Sequence, residues 1–453
     1  MNRPATAVAC LLTIICFALG QALQSSDGRL EPGAFRWLLV ALLAGAVTLW
    51  GARRIAPEVF ATIQGFLVIV AVLWEVVQQF FRSPGANVSG SLVPFFAGIV
   101  VMAVTFLVGQ VSGDRQQRAT PFIVSGVFLL LGVWLFHVSP APDIDVFVFQ
   151  TESADALMHG QNPYALRFRD IYSGRAQYDA RALYGDGLSV NGVLQFGFPY
   201  LPWSLLLTTP SQLVFGDYRY TQLFAVVFTA GVAMWLRPGR NAVLAGALLL
   251  FSPRVFFVLE QGWTEPLVVA LLAAVVLTHE KRPSLTPWVF GLLLAAKQYT
   301  VFMLPLAWLL LTDEQRNVKG ALIFLAKAAV PAVLVTLPFV LWNPGEFWFS
   351  VVELQTLQPF RDDSLSVMAK LARVTGHAPA SWWAFVAATA VLGLSLWRLP
   401  RGSAGFLIAV TVTYLAFFAT SKQAFANYYF LVIGAAALAV AALGRGTWRW
   451  RGV

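Results

Sequence analysis

The segment 139–150, SPAPDIDVFVFQ, places two carboxylates, Asp143 and Asp145, just past an apolar stretch of about twenty residues. A helix is predicted over 144–158. On it Asp145 and Glu152 lie seven residues apart and share one face, two turns on. Two carboxylates facing one way beside a membrane can capture hydroxyl groups, and one of them can take a proton as a general base. Asp143 reads as a helix-start residue, because Asp favours that position for capping and for the helix dipole. The base assignment stays open between Asp143 and Asp145, with Asp145 favoured. An Asp-x-Asp pair can also hold a divalent cation with a phosphate. No His or further carboxylate stands at a short fixed spacing to complete such a site, so neither a metal nor another cofactor is predicted.

Further polar residues interrupt apolar sequence. EQGWTEP, 260–266, supplies Glu260, Gln261 and Glu265 in a turn between two apolar segments. Lys297 and Gln298 sit inside an apolar run from 284 to 311 that is too long for one span. If the run folds back there, the Lys297 ammonium emerges at an interface and can bind a phosphate. PFRDDS, 359–364, adds Arg361 and Asp362; SKQAFANYY, 421–429, adds Lys422, Gln423 and Asn427. Arg361 and Lys422 are further candidates for holding phosphate. Ionisable groups near a bilayer are costly and are usually functional or paired. Glu75, with Gln78 and Gln79, reads as structural.

The elements that must position these groups are membrane helices. The chain has 453 residues, is 58% hydrophobic and only 12% charged, with a mean hydropathy of +0.70. Soluble domains carry about 25% charged residues. The net charge of +9 fits basic loops on the cytoplasmic side rather than a nucleic-acid partner. Cys10 and Cys16 lie in the first apolar segment, six residues apart, and cannot bridge each other. That segment is expected to be a retained helix rather than a cleaved signal. Several tryptophans, among them Trp37, Trp50, Trp288, Trp382 and Trp383, stand where interfacial anchors would.

About 13 to 15 hydrophobic segments are predicted, 14 if both termini are cytoplasmic. Five precede the Asp143–Asp145 region, near 4–24, 35–51, 57–80, 90–110 and 120–138. Arg53, Arg54, Arg115 and Arg118 put the loops at 51–57 and 111–119 inside, so the region after Val138 lies outside. Three full spans between 199 and 259 would leave Arg237 and Arg240 outside. One of the three is therefore expected to be short or re-entrant. The predicted organisation is an N-terminal four-helix region at 1–119, a catalytic region at 120–443 with outer loops at 139–198 and 343–381, and a basic cytoplasmic tail at 444–453. The fold class is all-α polytopic membrane protein, with short amphipathic helices in the outer loops.

Outer-face carboxylates with outer-face cations describe a pocket for a hydroxyl-bearing acceptor and an anionic phosphate donor. A lipid-linked sugar phosphate suits it, since its tail stays in the bilayer. DIDVFVFQTESADALMHGQNPYA then resembles the first outer loop of membrane glycosyltransferases of the GT-C fold class, most closely the polyprenol-phosphate-mannose-dependent mannosyltransferases. The matching features are Asp145, the aromatic Phe147, the helix to His159, and the turn Gly160, Gln161, Asn162, Pro163, Tyr164. FGFPYLPWSLLLTTP at 196–210 and AAKQYTVFMLPL at 295–306 resemble the family's next helix and its lysine-containing hairpin. The resemblance spans roughly 120–443; the four earlier segments depart from it.

The resemblance implies a GT-C-like bundle in a bacterial inner membrane. A sugar, with mannose as the expectation, would move from a polyprenyl-phosphate donor to a hydroxyl of a glycolipid or glycan acceptor. It further implies Asp145 as catalytic base, Lys297 with Arg361 and Lys422 at the donor phosphate, and Glu152, Asn162, Tyr164, Glu260, Gln261, Glu265, Gln298, Asp362, Gln423 and Asn427 around the substrates. The competing reading is a transporter or flippase of a lipid-linked sugar. Convergence of Asp145, Glu265, Lys297 and Lys422 on one outer cavity would favour the enzyme.

Overall fold

The computed structural model describes residues 3–50, 57–111, 114–175, 179–236 and 240–443. The chain is an all-α polytopic membrane protein. Helices α1 (Arg3–Ser26), α2 (Pro32–Trp50), α3 (Pro57–Gln78), α4 (Val93–Val111) and α5 (Asp114–Val138) run back and forth as neighbours. Their turns at 27–31 and 79–92, with the segment after α5, meet at one end of the bundle and line one cavity there. The loop 51–56 lies outside the described residues, as do 237–239 and the tail from 444 onward.

The segment after α5 carries α6 (Asp145–Met158), α7 (Ala180–Tyr184) and a two-stranded hairpin, β1 (Ser189–Val190) with β2 (Val193–Leu194). Helix α6 ends as the Gly160–Pro163 turn predicts. The helix over α8 (Pro202–Phe215) has 14 residues, about 21 Å at 1.5 Å per residue, against the ~30 Å of a hydrocarbon core. It packs on α6 and both its ends stay at the cavity end: Pro199 and Tyr200 line the cavity before it, and Arg219 after it donates to the Pro140 carbonyl. It is therefore the short segment that the charge pattern demands.

Helix α9 (Arg219–Trp235) then runs antiparallel to α5. Tyr220 meets Phe136 at one end with ring centroids 5.2 Å apart, and Trp235 meets Phe122 at the other at 5.0 Å. With α8 removed from the count of full spans, the start of α10 (Arg240–Leu250) falls at the end opposite the cavity, and the parity conflict disappears.

Helix α11 (Val255–Glu260) returns to the cavity and α12 (Glu265–Lys281) leaves it. The run 284–311 does fold back at Lys297, but not as two α-helices. Its first limb is α13 (Thr286–Leu294); the second is 3-10 helix over Gln298–Met303 and Pro305–Leu309. At ~2.0 Å per residue, 3-10 geometry stretches a short limb further than α-helix would.

Helix α14 (Val318–Trp342) climbs back to a cap at the cavity end, made of α15 (Pro344–Trp348), a π-turn at Phe349–Glu353, α16 (Leu354–Leu357) and α17 (Val367–Thr375). Helices α18 (Trp382–Arg398), α19 (Ser403–Ala419) and α20 (Ala426–Ala442) complete the bundle. Among the described residues, α1, α2, α4, α5 and α14 are long and apolar enough to cross a bilayer unaided. The 17-residue helices α9, α12, α18, α19 and α20 reach about 25 Å.

One hydrophobic core joins the N-terminal region to the rest, with α1 packed on α2, α3 and α20. The apolar stretch of α1 is 89% buried, that of α14 only 17%, so α1 is a core helix and α14 faces lipid. At the end away from the cavity, Arg398 donates to the Leu49 carbonyl, Arg401 lies over Trp308, and Ser403 donates to Glu280.

Candidate functional site

A cavity of about 620 Å³ opens at the end where these loops gather. Its wall draws on the turn after α1, the 82–87 loop, the first turn of α6, and the segments around Tyr184, Tyr200, Gln261, Lys297, Gln355, Arg361 and Asn427. Of the residues singled out in the sequence, Asp143, Asp145, Gln261, Lys297, Arg361, Gln423 and Asn427 line it.

Asp145 begins α6, after an extended Ile144. One carboxylate oxygen accepts from the Val146 backbone N–H at 2.7 Å, and the other accepts from the Tyr184 hydroxyl at 3.1 Å. The Tyr172 hydroxyl accepts from the Asp145 backbone N–H at 3.3 Å. Burial among the cavity walls holds the Asp145 pKa above the ordinary carboxylate value. The Val146 and Tyr184 bonds and the Arg361 charge pull the other way. Asp143, two residues earlier, is exposed and pairs with Arg175, which lowers its pKa. The two aspartates thus differ in kind: one is a desolvated carboxylate on the cavity wall, the other a solvated ion pair at its rim.

Lys297 is buried, and its ammonium donates to Glu265 at 2.6 Å and to Thr264 at 2.8 Å. Its Nζ lies 4.9 Å from the Tyr200 ring centroid and 5.4 Å from that of Tyr299. Glu265 sits behind it, fully buried, and also accepts from the Tyr299 hydroxyl. Arg361 makes a two-pronged pair with Asp363 at 2.8 Å per bond and lies over the Phe425 ring. Gln423 reaches the Pro359 carbonyl from the same wall.

Several expected residues serve the frame instead. Glu152 shares the Asp145 face, but seven residues of helix carry it about 10 Å along the axis, beyond Phe149 and into solvent. Glu260 accepts from the backbone N–H groups of Ala86 and Asn87 and from the Ser139 hydroxyl, so it pins the 81–90 loop to the start of the 139–198 segment. Gly85 leaves room for it; a Cβ there would stand 2.4 Å from the Glu260 carboxyl carbon.

Lys422 is turned onto the carbonyls of Gln355 and Gln358, closing the loop ahead of Arg361 rather than facing the cavity. Gln298 bridges the Pro199 and Val351 carbonyls. Asn162 accepts from the Tyr164 backbone N–H, and Tyr164 is buried with its hydroxyl on the Tyr200 carbonyl. Asp362 is exposed and off the cavity wall. Of Asp145, Glu265, Lys297 and Lys422, the cavity collects Asp145 and Lys297 at its wall and keeps Glu265 directly behind.

Other lining residues carry no sequence signal. Asp27, Arg29 and Arg82 come from the N-terminal region, and Arg82 reads in sequence only as a lone charge in a short loop. Tyr172 and Tyr184 lie in an irregular segment where no periodicity aims a side chain. Arg219 is wholly buried, pairs with Asp217, donates to the Glu260 and Pro140 carbonyls, and lies 5.0 Å from the Phe147 ring centroid. It ties α9 to the loop that delivers Asp145.

Over 263 residues, 51% of this chain, the sequence is 26% identical to an undecaprenyl phosphate-alpha-4-amino-4-deoxy-L-arabinose arabinosyl transferase of Serratia proteamaculans (strain 568). The match spans 47% of that relative, so the chain covers about half its length. No protein-family model matches the chain, and no solved structure does.

Proposed function

We propose that this chain is a membrane glycosyltransferase that moves a sugar from a polyprenyl-phosphate donor to a hydroxyl of a lipid- or polymer-linked acceptor, with Asp145 as general base. The observation that carries the reading is Asp145 itself. It is a desolvated carboxylate held by Tyr184 and Val146 on the wall of a cavity at one end of a membrane bundle, within the field of Arg361. The partial match to a transferase of a polyprenyl-phosphate sugar supports it.

The step is a direct displacement. Asp145 takes the acceptor hydroxyl proton as its oxygen bonds to the anomeric carbon. The bond from that carbon to the donor phosphate oxygen breaks, and its electron pair leaves with the polyprenyl phosphate. Arg361 spends Nε and one terminal nitrogen on Asp363 and would meet the charge that builds there with the other. Lys297 is already matched by Glu265, so its role is to orient sugar or phosphate oxygens together with Tyr200 and Tyr428. The reading needs no metal. The configuration at the anomeric carbon inverts, because the attack is from the opposite face.

The sugar is the finer question: the motif resemblance points to mannose, while the Serratia relative is named for an amino-arabinose. Membranes carrying the chain, incubated with radiolabelled polyprenyl-phosphate mannose and with the corresponding pentose donor, should label a glycolipid or glycan with one of them. No labelled product from any such donor would sink the proposal.

A further inference from the structure

Helix α17 follows the segment that carries Arg361 and is fastened to the head of α2. Leu365, just before it, donates its N–H to the Gly28 carbonyl at 3.0 Å, and Leu30 donates to the Asp363 carbonyl at 2.7 Å. Arg373, in the last turn of α17, donates to the Leu30 carbonyl at 3.2 Å. Gly28 has φ +82, and a Cβ there would meet the Ala426 nitrogen at 2.2 Å. The turn between α1 and α2 is thereby wedged between this segment and the start of α20.

The nine residues of α17, VMAKLARVT, divide into three strips. Ser366 caps the start by accepting from the Ala369 N–H at 3.0 Å, and Gly376, at φ +74, ends the helix. Ala369 and Ala372, three apart, are buried against the protein. Lys370 and Arg373, also three apart, form an exposed basic strip. Leu371 and Val374 form an apolar strip beside it and are 44% and 71% exposed. A surface helix on a soluble core turns its large apolar residues inward. Here alanines face in while leucine and valine face out, so a second apolar phase must meet them.

That phase is the bilayer. Trp342, the last residue of α14, and Trp382 and Trp383, the first of α18, are exposed at this same end, and the latter two stack with ring centroids 4.2 Å apart. Tryptophans so placed mark a membrane–water boundary. Helix α17 docks at Leu30, and α2 first exposes a large apolar side chain at Leu39, about 10 Å down the helix from Pro32. It therefore lies at the top of the lipid-facing surface.

The charge agrees. From 364 to 383 the chain carries Lys370, Arg373 and His377 and no carboxylate. On the adjoining segments Asp27 takes Arg82 and Arg254, Asp363 takes Arg361, and Glu31 and Asp362 stand against Arg29 and Arg36. The acids there are matched without α17. Lys370 makes no hydrogen bond or ion pair among the described residues, and Arg373 spends one terminal nitrogen.

We propose that α17 seats in the membrane interface at the cavity end, with Leu371 and Val374 in the acyl boundary and Lys370 and Arg373 on phospholipid phosphates. The apolar strip enters by about 5–10 Å. The bond from Arg373 to Leu30 then ties the bilayer surface to the turn whose Asp27, Arg29 and Glu31 line the cavity. This seat does not rest on the transferase reading, since a chain that moves no sugar can still hold it.

The test is depth. Single cysteines at Lys370, Leu371, Arg373 and Val374 of the full chain, beside the two buried native ones, are spin-labelled and reconstituted in phosphatidylcholine–phosphatidylglycerol vesicles. Accessibility to oxygen and to a water-soluble nickel chelate is read at each. L371C and V374C should favour oxygen, as lipid-facing sites do. K370C and R373C should read shallower, at the level of the phosphates. Labels at 371 and 374 that favour the chelate place the helix in water and overturn the proposal. Labels there that are closed to both probes show a protein cover, a second copy or another partner, and overturn it too. Labels at 370 and 373 as deep as those at 371 and 374, or open to bulk water, overturn the phosphate contacts.

Discussion

At the residue scale, Asp145 and Asp143 show how two identical side chains two positions apart acquire different chemistry. Burial raises the Asp145 pKa above the ordinary ~3.9, which makes it a stronger base once ionised. Transfer should fail as pH falls through that raised value. Because folding favours the protonated form, ionisation of Asp145 destabilises the fold as pH rises through the folded value. Asp145→Asn should therefore lower turnover by at least about a thousandfold while leaving thermal stability at pH 7 equal or higher. A folded D145N protein with normal turnover would remove Asp145 as base. The Tyr184 hydroxyl favours the carboxylate, so Tyr184→Phe should move the acidic limb of the rate profile to higher pH; an unmoved limb contradicts that role. For Asp143 the sign is opposite. Its pKa is lowered by Arg175, so its contribution is present above the unfolded value and is lost as pH falls through the folded one. The pair is exposed and worth at most about 1 kcal/mol. Asp143→Asn should keep turnover within about tenfold of the wild type.

At the scale of elements, the sequence was legible where apolar runs and helix stops are local. Helix α6, its end near Gly160 and the fold-back at Lys297 all follow from patterns within a few residues. Helix α8 was legible only as an inconsistency: charge on Arg237 and Arg240 demanded one short segment, but apolar content could not say which. The site itself was half legible. Period 3.6 places Asp145 and Glu152 on one face but says nothing of how far along the axis a cavity extends. Glu260 and Lys422 looked free because their partners are backbone groups contributed from far along the chain, which no side-chain pattern reveals. Gly28 carries a prediction at this scale. Gly28→Ala forces a left-handed position onto a Cβ that collides with the Ala426 backbone. It should destabilise the protein by about 2 kcal/mol or more. A melting temperature equal to the wild type in detergent would show that the turn is not wedged.

At the scale of the molecule, the alternation of helices puts the cavity at one end and Lys281, Arg282, Arg316, Lys319, Arg398 and Arg401 toward the other. We propose from the excess of basic residues that this other end faces the cytoplasm and the cavity the outside. Both native cysteines are buried, so single-cysteine labelling has a quiet background. Asp362→Cys should react with an impermeant thiol reagent on intact cells. Glu314→Cys, at the 3-10 turn Asp313–Gln315 before α14, should react only after permeabilisation. The reverse pattern would invert the assigned orientation.

The burial of α1 has a consequence for how the chain is made. The Cys16 thiol donates to the Ile433 carbonyl, a contact across 417 residues. At about 5–20 residues per second, α1 enters the bilayer roughly 20 to 80 s before its partner on α20 leaves the ribosome. Gln21 and Gln24 find their partners early, on Trp74 and Gln78, but Glu75, buried in the finished bundle beside Gly20 and Pro253, has no completed surroundings through much of that interval. A half-made chain therefore exposes a carboxyl group to lipid in its oldest part. Such nascent intermediates should recruit membrane insertion factors and quality-control proteases until the last helix docks.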